Sequence, residues 1–119
     1  MPLPVAQDLP THYRRDTFEG AEFVLYDQVN GNPIPVDLGG SVIKIDFKRN
    51  ERSSPVFSMD SQGGGLTITD APNGTFEIDE QVIDQPDATY LFDIQVTTGT
   101  IVRTYARGKW TIKRDITDA

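Results

Sequence analysis

The sequence contains no cysteine, which excludes disulfides, thiolate metal sites and thiol nucleophiles together. It holds a single histidine, His12, so multi-histidine zinc sites and Cys-His schemes are excluded as well. A Ser-His-acid triad would have to use this one ring, which sits beside Tyr13 at the edge of a proline-rich start; an edge or surface histidine is the expectation. Basic residues are scarce too: 11 Lys and Arg stand against 18 Asp and Glu, for a formal charge of −7. The tight basic groups are Arg14-Arg15, Lys48-Arg49 with Arg52, and Lys113-Arg114, while the acids run from Asp8 to Asp118. Such a surface repels phosphate, and no nucleic-acid partner is expected. No apolar run approaches the roughly 20 residues that span a bilayer. Met1-Pro2-Leu3-Pro4-Val5 also lacks a basic n-region and a continuous h-region, so neither a membrane partner nor an export signal is expected.

What is present is a chain of 119 residues, enough for one core and short for two. A chain of this length buries about two-thirds of the surface its unfolded form exposes, so it needs no metal or disulfide to stay folded. Eight prolines and ten glycines are spread throughout and leave no window of helical periodicity over three turns. Alternation with a period of two recurs instead. In Val42 to Lys48, Ile43, Ile45 and Phe47 point one way and Lys44, Asp46 and Lys48 the other. Leu66 to Thr69 and Thr75 to Ile78 repeat the pattern around Asp70-Ala71-Pro72-Asn73-Gly74, which predicts a hairpin with a loop somewhat longer than two residues.

Tyr90, Phe92, Ile94 and Val96 share a face before Thr98-Gly99, and Thr100 to Arg114 returns, which predicts the strongest hairpin of the chain. A two-residue Thr98-Gly99 loop would set Arg103 across from Ile94, and a bulge or longer loop is an equal alternative. Gly108 reads as a bulge or bend. Tyr13 to Phe18 and Glu22 to Gln28 read as two further strands, and Gly31-Asn32-Pro33-Ile34-Pro35 as loop. The prediction is an all-β, antiparallel β-sandwich or small barrel of seven or eight strands. Residues 1–12 form an extended Pro-rich arm and residues 13–117 a single domain. The expected core comprises Phe23, Ile43, Ile45, Phe47, Phe76, Tyr90, Phe92, Ile94, Trp110 and Ile112.

The chemistry-bearing constellations have plain structural readings. Gly63-Gly64-Gly65 lacks the Lys-Ser or Lys-Thr of a phosphate loop and precedes a strand, so a flexible connection is expected. Asp60, Asp70, Asn73, Asp79, Glu80, Asp84 and Asp87 form an acid-rich middle whose spacing matches no EF-hand, and a solvated acidic face is expected. Asp93 is expected to pair across the ladder with Arg103 or Arg107. No catalytic residue, cofactor or metal is predicted, and the chain is read as a non-enzyme. A sugar- or cell-surface-binding role through exposed rings such as Tyr26, Phe57 and Tyr105 is the alternative. A paired-acid hydrolase ranks below both.

Two ordered stretches carry a resemblance. The first runs from Arg15-Asp16-Thr17-Phe18 through Asn32-Pro33-Ile34-Pro35-Val36-Asp37-Leu38-Gly39-Gly40 to Ile43-Lys44-Ile45-Asp46-Phe47-Lys48. The second joins Gly65-Leu66-Thr67-Ile68-Thr69-Asp70 and Asn73-Gly74-Thr75-Phe76 to Tyr90-Leu91-Phe92-Asp93-Ile94, Gly108-Lys109-Trp110-Thr111-Ile112 and Asp115-Ile116-Thr117. Together they resemble small immunoglobulin-like proteins of the structural gene modules of tailed bacteriophages and prophages. The Gly-Asp-Thr-Phe opening usual in that family stands here as Arg-Asp-Thr-Phe. The resemblance implies an Ig-like adaptor or decoration module of the tail, neck or baseplate, located in the virion and made in the host cytoplasm. Its implied partners are other virion proteins and further copies of itself.

Overall fold

The computed structural model describes residues 5–6 and 8–114, with side chains described from residue 8 onward. Most of the expected arm before residue 8 and the closing Asp115-Ile116-Thr117 lie outside these residues. In chain order the strands are β1 (Val5–Ala6), β2 (His12–Tyr13), β3 (Thr17–Phe18), β4 (Ala21–Val24), β5 (Tyr26–Val29) and β6 (Asn32–Pro35). There follow β7 (Ser41–Lys48), β8 (Phe57–Asp60), β9 (Leu66–Asp70), β10 (Thr75–Ile78), β11 (Gln81–Val82), β12 (Ala88–Thr98) and β13 (Ile101–Lys113). A single 3-10 turn at Ala71–Asn73 is the one helical element among the described residues. The protein is all-β. The strands outnumber the seven or eight expected because the chain is broken into short pieces, four of them only two residues long.

The larger sheet runs β1–β13–β12–β7–β8, with β2 also on β13; the smaller runs β4–β10–β9. Alternation drives both. Along β12 the even-numbered residues Tyr90 to Val96 are buried and the odd-numbered ones are half-buried, and β7 buries Ser41, Ile43, Ile45 and Phe47. Inward side chains of both sheets form one cluster that includes all ten expected core residues, joined by Leu25, Val36, Leu38, Leu66, Ile78, Ile83 and Tyr105 among others. The arrangement is consistent with a β-sandwich. Each large apolar side chain withdrawn from water contributes about 1.5–3 kcal/mol, so these residues dominate stability.

Trp110 is fully buried, and rings of His12, Phe18, Phe47 and Phe57 surround it. Its Nε1 donates to the Pro10 carbonyl oxygen at 2.9 Å. The described part of the proline-rich segment therefore lies along its own sheet. β1 and β2 pair in parallel with β13, the Leu9 amide donates to the Lys109 carbonyl oxygen at 3.0 Å, and the Lys109 amide donates to Asp8 Oδ1 at 3.0 Å. Tyr90 is also fully buried, and its hydroxyl donates to the Pro86 carbonyl oxygen at the entry to β12.

Four local expectations are corrected. Tyr13 to Phe18 is not one strand: Arg15 takes φ +73°, and the Asp16 amide turns back onto the Tyr13 carbonyl oxygen at 3.1 Å, separating β2 from β3. Glu22 to Gln28 breaks at Leu25, whose amide donates to Gly74 and whose carbonyl accepts from Val36, so β4 and β5 belong to different sheets. The expected loop at residues 31–35 contains β6. Its prolines at 33 and 35 share one parity, so their missing N–H groups fall on one side of an edge strand, where no ladder partner is needed.

The fourth concerns the long hairpin, where the bulge alternative holds while the Thr98-Gly99 loop and the bulge at Gly108 do not. Thr98 pairs with Ile101 around Gly99-Thr100, which sets Arg103 opposite Val96 and not Ile94. The bulge lies where Ile94 faces Ala106 while Gln95 faces Thr104, leaving Tyr105 as the extra residue; Gly108 stays in the ladder opposite Phe92.

At the turn after β2, Arg14 Nε donates to Asp84 Oδ1 at 2.8 Å and Arg15 Nε lies 3.6 Å from the same oxygen. The Arg14 hydrogen bond is the main force holding the Asp84 carboxyl below its usual range. A depressed native pKa stabilises the fold above the unfolded value and ceases to do so as pH falls through the native one. Asp84→Asn is therefore expected to lower the melting temperature at neutral pH, with the gap to the parent closing below about pH 4. Melting curves across that range check this; a gap independent of pH would remove the ion pair as the cause.

Candidate interaction surface

β5 and β6 form a two-stranded sheet of their own, closed by Asn30 and Gly31 at φ +51° and +79°. Positive φ at both central residues is the geometry that suits a two-residue reversal between right-twisted strands. The hairpin is held at its base. Leu25 and Val36 are buried in the core, and the Leu38 amide donates to the Ala71 carbonyl oxygen at 2.8 Å. Beyond that base no side chain of β5 or β6 is buried: Tyr26 is 47 %, Val29 50 % and Ile34 47 % exposed. Asp27 pairs with Ile34 and Val29 with Asn32, so Val29 and Ile34 share the face that carries Asp27.

That face turns toward the β12–β13 tip. Between them lies a cleft of about 280 Å³, lined by Asp27, Val36, Asp37, Val96, Thr98, Ile101, Arg103 and Tyr105. The bulge builds one wall. It turns both Tyr105 and Ala106 inward, whereas unbroken alternation would bury only one of them. Burial raises the pKa of the Tyr105 hydroxyl, the negative charge of Asp27 and a hydrogen bond to its carboxylate raise it further, and Arg103 opposes the shift. Asp27 Oδ1 is out of contact with solvent and makes no hydrogen bond itself among the described residues, while the Tyr105 hydroxyl engages the same carboxylate. Leaving a buried polar atom unsatisfied costs about 1–3 kcal/mol, more when it is charged.

A larger concavity, about 380 Å³, lies on the outer face of the main sheet. Its rows follow the register: Ser58, Asp46, Asp93 and Arg107 form one, and Lys48, Leu91 and Lys109 the next. Asp93 thus stands opposite Arg107, one of its two expected partners, and opposite Asp46 on the other side. Ser58 Oγ donates to Asp46 Oδ1 at 2.5 Å and Lys44 Nζ lies 3.7 Å away, which offsets the repulsion between the two acids. Of the acids in this groove, Asp8 accepts from the Lys109 amide, Asp46 from Ser58, and Asp93 faces Arg107.

The remaining sequence candidates fall apart in space. His12 Nε2 donates to the Asp16 carbonyl oxygen at 2.9 Å while the ring packs on Phe18 and Trp110. The acid-rich middle does not converge. Asp60 accepts from the Gln62 and Gly63 amides, Asp70 from Asn73, Asp79 from Thr67 and Asp84 from Arg14. The Gly63 and Gln62 amides lower the Asp60 pKa. No group of three metal-ligating side chains occurs among the described residues. Tyr26, Phe57 and Tyr105 form no solvent-facing strip: Tyr105 is buried, Phe57 stacks on Phe47 at 4.3 Å, and Tyr26 alone is exposed.

Asp27, Arg103 and the hairpin itself went unpredicted. Asn30-Gly31 is a hairpin signal that could have revealed the projecting element, but the two prolines after it read as loop. No family model matches the chain, and no curated protein matches it.

Proposed function

We propose that this chain is a non-enzymatic accessory protein of a tailed-phage or prophage particle, an Ig-like adaptor or decoration module that works by protein–protein contact. The sheet orders support the Ig-like reading. β13–β12–β7–β8 against β4–β10–β9 follows the order G-F-C-C′ against B-E-D, with β1 and β2 lying parallel to the last strand. Tyr90 adds to it: a tyrosine near the start of the F-position strand, bonded to a carbonyl four residues upstream, is the corner typical of such domains. The buried tryptophan departs from the pattern, standing on β13 where an antibody domain carries it on strand C. The phage context rests on the ordered sequence resemblance.

The observation that carries the binding role is the concentration of connections at one end. The long β4–β7 connection with its hairpin, the end of β8 and the β12–β13 tip meet there. The Ser61 amide donates to the Ile43 carbonyl oxygen at 2.9 Å, and the Ser41 and Thr98 hydroxyls are 2.7 Å apart. Sandwich domains commonly bind through loops gathered at one end. Here that end exposes Tyr26, Val29, Ile34, Ile101 and Val102. A two-stranded ribbon is marginal alone, and apolar side chains gathered on one exposed element mark a contact surface. The prolines of β6 block strand addition along that edge.

The test is to look for the protein by mass spectrometry in particles purified from the strain that encodes it. The parent is expected in the particles. Tyr26→Ser with Ile34→Ser is expected to be lost from them while melting within about 2–4 °C of the parent, because exposed substitutions seldom cost more than about 0.5 kcal/mol each. Absence of the parent from particles, with strictly monomeric sedimentation, would sink the assignment.

A further inference from the structure

We infer that Tyr105 and Asp27 are positioning residues: they clasp the β5–β6 hairpin to the β12–β13 tip, so that apolar side chains on the two elements form one preassembled contact surface. This rests on the contact role above and adds what holds that surface in shape.

The hairpin needs such a hold. Leu25 and Val36 anchor its base, and beyond them it buries no apolar side chain. Among the described residues, β6 is the one strand paired with β5, and β5 the one paired with β6. A two-stranded ribbon with so little packing frays in water unless it is fixed further along. Asp27 lies two residues beyond the base and lines the cleft together with Tyr105 and Arg103 of β13. Arg103 donates to the Tyr105 hydroxyl, and that hydroxyl engages the Asp27 carboxylate, so one relay crosses from the main sheet to the hairpin.

The bulge supplies the tyrosine. Ile94 faces Ala106 and Gln95 faces Thr104, so Tyr105 has no opposite residue on β12 and turns inward beside Ala106. Regular alternation would point the two to opposite faces. Stability does not account for the acid at the other end. Asp27 Oδ1 is closed to solvent and unbonded among the described residues, a placement that costs the fold free energy while fixing the carboxylate in one position. The elements so joined carry exposed Val29 and Ile34 on the hairpin and exposed Ile101 and Val102 on the tip. Left loose, the two groups would be ordered only at each encounter, which weakens binding.

The experiment is amide hydrogen exchange of the full chain, read by NMR across residues 26–35. Tyr105→Phe keeps the buried ring and loses the hydroxyl, and Asp27→Ala loses the carboxylate. Each is expected to quicken exchange in the hairpin about tenfold, the worth of roughly one hydrogen bond. Exchange in β7, β10 and β12 should stay at the parental rate, with melting within about 2–4 °C of the parent. Asp27→Asn keeps an acceptor and should exchange like the parent. The double variant Tyr105→Phe/Asp27→Ala should exchange no faster than Asp27→Ala, because both changes remove one bond. Both single variants are also expected to be depleted from purified particles. They approach the bond from opposite ends, so one remains decisive if the other unfolds.

Unchanged hairpin exchange in both single variants, or a double variant whose effect is the product of the two, would overturn the clasp. Faster exchange with parental incorporation of both variants would end the positioning role and leave the contact role standing. The expected exchange pattern with the parent missing from particles would uphold the clasp and end the particle reading alone.

Discussion

Trp110→Ala is expected to leave the chain largely unfolded at ordinary temperatures. Removing a buried aromatic side chain from a packed core costs about 3–5 kcal/mol. A domain of this size has only about 5–15 kcal/mol in all. Here the loss is compounded, because the indole touches rings from the N-terminal segment, β3, β7 and β8 and supplies the donor for Pro10. Trp110→Phe fills most of the volume but leaves the Pro10 carbonyl without its partner, and about 1–3 kcal/mol is the expected loss. Urea midpoints of the two variants measure the difference. Equal midpoints would mean that the ring cluster is not organised by the indole. Amide exchange in the Phe variant should quicken first at Leu9 and Tyr13, the segment that the indole N–H pins.

Gly74→Ala carries the second large effect and connects stability to the proposed contact surface. Gly74 is buried at φ +67°, and a methyl group there would stand 2.6 Å from the Leu25 carbonyl oxygen, 2.9 Å from that of Val36 and 3.0 Å from the Val36 nitrogen. All three are backbone atoms at the base of the hairpin, and none can swing aside as a side chain would. Left-handed strain costs about 1–2 kcal/mol and overpacking about 1–3, so a loss of about 2–5 kcal/mol is expected. The Leu25 amide, bonded to Gly74 at 2.9 Å, should lose its exchange protection, and binding through the hairpin should fall with it. Gly74→Asn separates the causes. Asparagine accepts the left-handed backbone yet carries the same Cβ, so an equally severe loss assigns the effect to the close approach. A mild loss would assign it to φ.

Where burial enforces alternation, the sequence is a sufficient guide. Ile43, Ile45, Phe47, Tyr90, Phe92, Ile94, Trp110 and Ile112 all lie in the core, because a strand with one wet face leaves little choice of which side chains face inward. The failures lie where that constraint is absent. β5 and β6 bury no apolar side chain, so no apolar pattern marks them, and Pro33 and Pro35 are tolerated only because one side of β6 has no neighbour. Arg15 at φ +73° breaks a run that is otherwise strand-like. The Tyr105 bulge shifts parity within an apparently regular strand, and only the alignment with β12 reveals it. The cleft was illegible for the same reasons, since it joins an element read as loop to a wall made by that bulge.

The parallel seating of β1 and β2 on β13 has a mechanical consequence. The N-terminal segment and the last strand run in the same direction, so tension between Val5 and Arg114 slides one along the other. The hydrogen bonds from Ala106 to Lys113, the Leu9–Lys109 bond and the Trp110–Pro10 bond then share the load and do not open one after another. A domain fastened this way resists being drawn out end to end more than one whose terminal strands unzip one bond at a time.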